Sequence, residues 1–306
     1  MLNTYLCNIA DKSAICGKEV IMASMRDIKR RKGSIQSTQQ ITKAMKLVST
    51  VKLQRARASA ENSKAYFNCM YQTVNRILAR VGNLQHRYLQ PAETVKKAVV
   101  VISSNRGLAG GYNSNIVKLV TRHEGWDKKD VLIYAVGRKG KDAFVREGYE
   151  VRMDLSDVAE EPAYPDAMLL CSELLKAYAE GEVGEIYLAY TAFKNTVSHV
   201  PTLLKLLPVE QGEEIKGEES EVPMNFEADD EEALEMIIPK YVASLIYGGL
   251  MEAVASENGA RMQAMDNATS NAEEMISDLT LKYNRARQGS ITQELTEIIA
   301  GAEAIS

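Results

Sequence analysis

Apolar positions recur near both ends of the chain at spacings that a helix uses. Ile28 and Ile35 stand seven apart, and Ile41, Met45, Val48 and Val51 follow at steps of four, three and three, which lays a stripe along one helical face. Ala56 and Ala60 then offer a narrow face for close approach of a partner helix, and Val74, Ile77 and Val81 carry the stripe to Gly82. Towards the other end Met265, Ala268, Ala272, Met275, Leu279, Tyr283 and Ala286 recur at steps of three and four, the seam of a coiled coil.

Proline punctuates the same picture. It stands at 91, 162, 165, 201, 208, 223 and 239, and since a proline inside a helix costs about 3 kcal/mol, the stretches without it are where continuous helix is permitted. Helices over 22–82 and 234–304 would run roughly 90 and 105 Å at about 1.5 Å per residue, too long for a compact domain. The economical solution is an antiparallel coiled coil of the two terminal helices. Gly33 is a weak point, about 1 kcal/mol worse than alanine. Gly248, Gly249 and Gly259 leave open a second reading, two ordinary amphipathic helices broken at glycines.

Between the helices the period changes. Residues 98–102 read as a strand followed by a glycine-rich turn, a helix starts near Asn115, 131–136 reads as a second strand, a further helix runs to Glu147, and 185–193 reads as another strand. Such alternation predicts a parallel-sheet domain. Residues 208–230 are acid-rich and carry turn residues, as a surface loop does. The predicted fold is mixed α/β and helix-dominated. It comprises an N-terminal extension over 1–21, a coiled-coil helix over 22–82, a central Rossmann-like α/β domain over 95–225 and a second coiled-coil helix over 230–306. Met22 and Met25 each open a patterned segment, which points to an upstream start as the origin of residues 1–21.

Composition agrees with helix. The 306 residues are 45% hydrophobic, 25% charged and only 6% aromatic, with 13 methionines and the single Trp126. No run approaches the roughly 18 to 20 uninterrupted apolar residues of a membrane span, so membrane contact is expected only through partners. The first 21 residues contain Asp11, Lys12, Lys18 and Glu19 and do not read as a targeting segment. Cys7, Cys16, Cys69 and Cys171 lack the short spacings of a zinc or redox motif and read as reduced thiols.

Little here suggests chemistry. The turn Ser103-Ser104-Asn105-Arg106-Gly107-Leu108-Ala109-Gly110-Gly111 sits where a phosphate loop would, after a strand and before a helix. It has neither the dinucleotide fingerprint nor a lysine followed by serine or threonine, so a structural tight turn is the better reading. Gly137-Arg138-Lys139-Gly140-Lys141 reads as a solvated helix start. His86, His123 and His199 have no partners at ligand spacing, and no serine occupies a nucleophile elbow. No catalytic, cofactor-binding or metal residues are predicted.

Charge is polarised. Residues 22–60 carry ten Lys or Arg against the single Asp27, although the whole chain has net charge −4. A basic helix can neutralise nucleic-acid phosphates, but this arm has no interleaved aromatics for stacking. The other readings are a rod turning against acidic protein surfaces and a solvated face. A basic coiled-coil nucleic-acid binder and a nucleotide-dependent enzyme built on the central domain therefore stand as alternatives.

Two stretches carry a resemblance. Met25-Arg26-Asp27-Ile28-Lys29-Arg30-Arg31 with Ser37-Thr38-Gln39-Gln40-Ile41-Thr42-Lys43-Ala44-Met45-Lys46-Leu47-Val48 resembles the amino-terminal signature of the gamma subunit of bacterial F-type ATP synthases. Ala255-Ser256-Glu257-Asn258-Gly259-Ala260-Arg261-Met262-Gln263-Ala264-Met265 and Tyr283-Asn284-Arg285-Ala286-Arg287-Gln288-Gly289-Ser290-Ile291-Thr292-Gln293-Glu294-Leu295 are similar to its carboxyl end. The glycine-rich turn resembles the family's Ser-Asp-Arg-Gly-Leu-Cys-Gly-Gly, with Asn105 and Ala109 at the aspartate and cysteine positions. Residues 31–34 depart from the family's run, with Lys32 where isoleucine is usual and Gly33 where glycine is not, and the paired-cysteine insertion of chloroplast relatives is missing.

The resemblance implies a rotating central stalk that couples ion flow through a membrane ring to ATP synthesis or hydrolysis in an alpha/beta hexamer. It implies no catalytic site or cofactor in the chain itself. The implied beta-subunit contacts are Met45, Lys46, Arg261, Arg287, Gln288, Thr292 and Glu294, and Phe226 and Glu227 match the foot segment that meets the c-subunit ring or the epsilon subunit. The implied location is the cytoplasmic face of the bacterial cell membrane, held there peripherally and with no nucleic-acid partner.

Overall fold

The computed structural model describes residues 3–81, 86–90, 94–196, 198–209 and 230–305. Helix α1 spans Asn3–Val81 and helix α5 spans Asp230–Glu303. Between them run β1 (Lys97–Ile102), α2 (Tyr112–Thr121), β2 (Val131–Val136), α3 (Arg138–Glu147), β3 (Glu150–Asp154), α4 (Tyr164–Ala179), β4 (Glu185–Phe193) and β5 (His199–Leu207). The chain divides into two compact units, one of residues 47–264 and one of residues 1–46 with 265–306. The expected fold class holds: an antiparallel coiled coil of N- and C-terminal helices with a central α/β domain.

In the 47–264 unit the five strands lie in the order β3-β2-β1-β4-β5. The first four are parallel, as Rossmann-like crossovers require, and β5 returns antiparallel to β4. Central strand β1 is buried on both faces and splits its side chains by the two-residue period of a strand. Val99 and Val101 face Ile116 and Val120 of α2 and Phe144 of α3. Ala98, Val100 and Ile102 face the other way, towards α4 and α5.

On that second face Leu234, Ile238, Val242, Ile246 and Leu250 of α5 are all at most 2% exposed, at steps of four. This is why an 18-residue window of α5 reaches a mean hydropathy of 1.2, and half of that window is buried. Its apolar content here serves the core of the sheet. The glycines that might have broken α5 do not. A Cβ on Gly249 would lie 2.8 Å from Leu188 Cδ2, and one on Gly259 would lie 2.6 Å from His199 Cε1. Glycine lets the helix approach β4 and β5 more closely than any other residue would, and packing outweighs its helix cost of about 1 kcal/mol. Pro239 also sits inside α5. Its carbonyl accepts a hydrogen bond from the Cys171 thiol at 3.4 Å, and burial pushes that thiol up to about 12.

The 1–46 and 265–306 unit is the helix pair. Gln39 Nε2 donates to Glu273 Oε1 at 3.0 Å, the Thr42 and Thr269 hydroxyls lie 2.8 Å apart, and Lys46 Nζ meets Asp266 Oδ1 at 2.6 Å. As the number rises on α1 it falls on α5, which is antiparallel pairing. The less exposed positions of α1 in this unit are 25, 28, 32, 35, 39, 42, 45 and 46, and those of α5 include 265, 269, 272, 276, 279, 283, 286, 290 and 293. Apart from the adjacent pair 45 and 46, the steps of three and four make a heptad seam.

The stripe expected on α1 holds at Ile28, Ile35, Met45, Ala56 and Val74 and fails at three positions. Ile41, Val48 and Val51 are 61%, 58% and 48% exposed, and the inward positions one residue along are Thr42 and Ser49, followed by Leu53. On α5 the expected seam holds except at Met275, which is 53% exposed while Ile276 faces inward.

Candidate functional site

The seam of the helix pair is mixed. Ile28, Ile35, Met265, Ala272, Ile276, Leu279 and Tyr283 face inward beside the polar Lys32, Gln39, Thr42, Lys46 and Thr269. Ile41, Met275, Leu281, Ile291, Leu295, Ile298 and Ile299 are each about half exposed or more. Contiguous apolar side chains left outside mark a surface that another protein covers. The polar part of the seam supplies register more than energy. Lys46 and Asp266 keep 38% and 53% of their side-chain surface, and exposed pairs of this kind contribute about 0–1 kcal/mol.

The threonine pair is the buried part of that ladder, at 8% exposure for Thr42 and 9% for Thr269. Thr42 Oγ1 also lies 3.0 Å from the Gln39 carbonyl, and Thr269 Oγ1 lies 2.7 Å from the Met265 carbonyl. Two hydroxyl protons thus serve three short separations, so at any instant one of the three lacks a hydrogen. Shifting either helix by one residue would strip both hydroxyls of each other, which pins the register.

The residues singled out in the sequence fall into three places. Met45 and Lys46 are half-buried at the seam, Lys46 on Asp266. Arg287, Gln288, Thr292 and Glu294 are exposed on α5, roughly 30 Å along the helix from Asp266 at about 1.5 Å per residue. By helical phase Arg287 and Glu294 share a strip with Ile291 and Ile298, and Gln288 and Thr292 share the next with Leu295 and Ile299. The isoleucines and Leu295 were missed in the sequence reading; their signal was an apolar repeat one residue out of phase with the seam.

Arg261 belongs to the other unit and is committed within it. Its Nη1 lies 2.7 Å from Glu257 Oε1 with side chains only 11% and 10% exposed, and its Nη2 donates to the Gly107 carbonyl at 3.4 Å. Burial raises the Glu257 carboxyl above its ordinary range, against the pull of the Arg261 charge. Phe226 and Glu227 lie outside the described residues.

The start of α3, after β2, is filled by the glycine-rich turn through two side chains and one backbone carbonyl. In a nucleotide-binding fold the first amides of a helix after a strand hold the phosphate. Here Arg138 N–H donates to Asn105 Oδ1 at 3.0 Å, Lys139 N–H to the Ser104 carbonyl at 3.0 Å and Gly140 N–H to Ser103 Oγ at 2.8 Å. A Cβ on Gly137 would collide with the Ser103 backbone, so glycine at φ 102° is what lets the two turns interlock. The tight-turn reading of this loop accounts for its geometry.

A paired-helix unit and a mixed sheet of this topology define a class, the central-stalk fold, and comparison with known proteins narrows it. The ATP synthase family model matches residues 24–305. The ATP synthase gamma chain of Lachnoclostridium phytofermentans is 63% identical over 292 residues, covering 93% of this chain and all of that one. The sodium-ion-specific ATP synthase gamma chain of Acetobacterium woodii is 39% identical over 300 residues, covering 92% and 99%. Among solved structures, a chain of the Tetrahymena thermophila mitochondrial ATP synthase central stalk and c-ring matches with TM-score 0.57 and 26% identity, covering 74% of this chain and 99% of that one. A chain of the Euglena gracilis mitochondrial ATP synthase shares the fold at TM-score 0.65 and 18% identity over 92% and 95%.

The chain belongs to the ATP synthase gamma-chain family. Its function is that of the rotating central stalk, which couples ion flow through the membrane ring to ATP synthesis or hydrolysis in the catalytic hexamer. Neither the nucleic-acid nor the nucleotide-enzyme alternative finds support in these comparisons. As a subunit of ATP synthase it is part of a membrane-associated complex.

Proposed function

We propose that the chain is a non-catalytic cam. Nucleotides bind on the alpha and beta subunits around it, and its helix pair presents a different face to each beta subunit as it turns. Unequal contacts then shift each site's conformational equilibrium, which is a coupling free energy between distant sites. The observation that carries this reading is the apolar strip of Ile291, Leu295, Ile298 and Ile299 left exposed on α5. Arg287, Gln288, Thr292 and Glu294 share its exposed face and form the contact set near the end of α5, with Met45 and Lys46 as a second set on α1. Arg261, named with them by resemblance, contributes through the shape it holds rather than through a free charge.

In this reading 22–82 and 230–306 are the coiled-coil helices, and the α/β domain over 95–225 takes the epsilon subunit and the c-subunit ring, with Phe226 and Glu227 at that foot. The complex sits on the cytoplasmic face of the bacterial cell membrane, and this chain touches lipid only through its partners. Co-expression with matching alpha and beta subunits tests the proposal. One copy of the chain per three beta subunits in a complex that hydrolyses ATP is the expected result, and a chain that stays alone and binds nucleic acid in low salt would overturn it. Crosslinking from position 227 that never captures a c subunit would remove the foot assignment alone.

A further inference from the structure

The glycine-rich turn is tied to several elements around it. Its Asn105 Nδ2 donates to the Ser156 carbonyl at 2.7 Å, and Ser103 N–H donates to the Val136 carbonyl at 2.7 Å. Arg261 of α5 holds the Gly107 carbonyl. Glu160 lies between Lys52 of α1 and Arg106 of the turn, at 3.4 Å from each. The turn therefore reaches both long helices at separate points, directly on α5 and through Glu160 on α1, and it continues without a break from the central strand of the sheet.

It is also strained. Leu108 adopts φ 63°, a left-handed conformation that costs a non-glycine residue about 1–2 kcal/mol and persists where neighbours over-determine it. The carbonyl that Arg261 grips belongs to the residue immediately before. Arg261 is in turn fixed by Glu257 in a nearly buried pair, where removing one partner leaves an uncompensated charge.

We propose that the turn 103–111 stiffens the joint through which torque passes between the five-stranded sheet and the parts of α1 and α5 in the 47–264 unit, with Glu257–Arg261 as its pin and Glu160 as its second tie. The proposal rests on the rotor reading above. The buried face of α5 already holds the sheet to that helix, and the two ties add resistance to twisting at the turn, where the sheet's central strand ends. Glu257 and Glu160 are positioning residues: they act through Arg261, Lys52 and Arg106 rather than on a partner subunit. The Glu257 tie is the stronger, since the Glu160 pairs are largely solvated and screened.

The test uses the whole complex, fixed by its hexamer and carrying a bead on the c-ring, in wild type and with Glu257→Gln or Glu160→Gln. The angular fluctuation of the bead in a nucleotide-arrested complex reads the stiffness of the joint, which a purely fold-stabilising role would leave unchanged. Glu257→Gln is expected to raise the variance roughly twofold and to lower the ions pumped per ATP, and Glu160→Gln to do the same more weakly, as expected of ties in one physical network. Wild-type rotation with unchanged variance in both variants overturns the joint alone. A wild-type complex that hydrolyses ATP without rotating overturns the rotor reading and the joint with it. If Glu257→Gln prevents assembly, Glu160→Gln decides: a raised variance supports the joint and an unchanged one rejects it.

Discussion

The two units of this chain fill their interiors differently. In the 47–264 unit, strands β1 and β2 are buried almost without remainder, and the core closes on itself through Ile116, Phe144, Leu174, Leu188 and Ile246. In the helix pair, threonines meet at the centre while Ile291, Leu295, Ile298 and Ile299 face outward. The difference teaches where each unit gets its stability. One rests on a mainly apolar interior, and the other on a mixed seam in which a buried threonine pair fixes register while an apolar strip of α5 stays exposed.

The comparison breaks first, and hardest, in the sheet. Phe144 is 0% exposed and meets the edge of Tyr149 at a ring-centroid distance of 5.3 Å. Phe144→Ala is expected to cost about 3–5 kcal/mol, the range for a fully buried aromatic. Thermal unfolding followed by near-ultraviolet circular dichroism would show it, and a shift of only a degree or two would mean that this core is looser than its burial implies.

The outward face should behave in the reverse sense. Ile298 and Ile299 are 68% and 59% exposed, so replacing both with serine should change the unfolding of the isolated chain by less than about 0.5 kcal/mol. The same double change should weaken assembly with alpha and beta subunits about tenfold or more, from the apolar area no longer buried between subunits. Competition for assembly between tagged wild-type and variant chains reads that ratio directly. Equal incorporation would show that this face is idle.

How much of this was legible in the sequence follows from the same contrast. The seam of α5 could be read because Met265, Ala272, Leu279 and Tyr283 are apolar and inward together. The expected stripe of α1 held at Ile28, Ile35 and Met45 and failed at Ile41, Val48 and Val51, because periodicity finds apolar side chains and cannot tell a core face from an exposed one. Strands 131–136 and 185–193 were legible as β-branched and aromatic runs bounded by turns. β5 was not: Pro201 and Lys205 interrupt it, and as an edge strand it needs neither an unbroken apolar run nor every ladder donor. The glycines at 249 and 259 looked like breaks because the neighbours that require them, Leu188 and His199, are distant in sequence. Arg261 looked like a free contact for a similar reason. Glu257 at i−4 was visible, but the Gly107 carbonyl 154 positions away was not.

The polar part of the seam gives a smaller and more discriminating effect. Thr42→Val alone should cost about 1 kcal/mol, since it removes one hydroxyl and leaves Thr269 with the Met265 carbonyl. Thr42→Val with Thr269→Val should recover most of that loss, because two apolar groups of the same shape need no partners. If register is what the hydroxyls supply, the double variant will be stable yet slip. Cysteines at 39 and 273 would then crosslink less efficiently than in the wild-type background, while cysteines offset by one heptad would begin to crosslink.

The smallest expected effect returns to the sheet unit and asks whether surface charge matters there at all. A hydrogen bond from Lys141 Nζ at 2.7 Å, with a second from Ser156, holds the Asp154 carboxyl below its ordinary range. A depressed carboxyl stabilises the fold fully above its unfolded value of about 4, and that contribution disappears as pH falls through the lower folded value. Lys141 and Asp154 keep 39% and 37% of their side-chain surface, so solvent screening leaves the effect small. Asp154→Asn should therefore lower the melting temperature slightly at pH 7, with the gap to wild type closing as pH falls below about 4. A gap that persisted unchanged at the acid end would mean that the aspartate acts by caging the Ser156 backbone, and that charge contributes no more to this unit than it does to the helix seam.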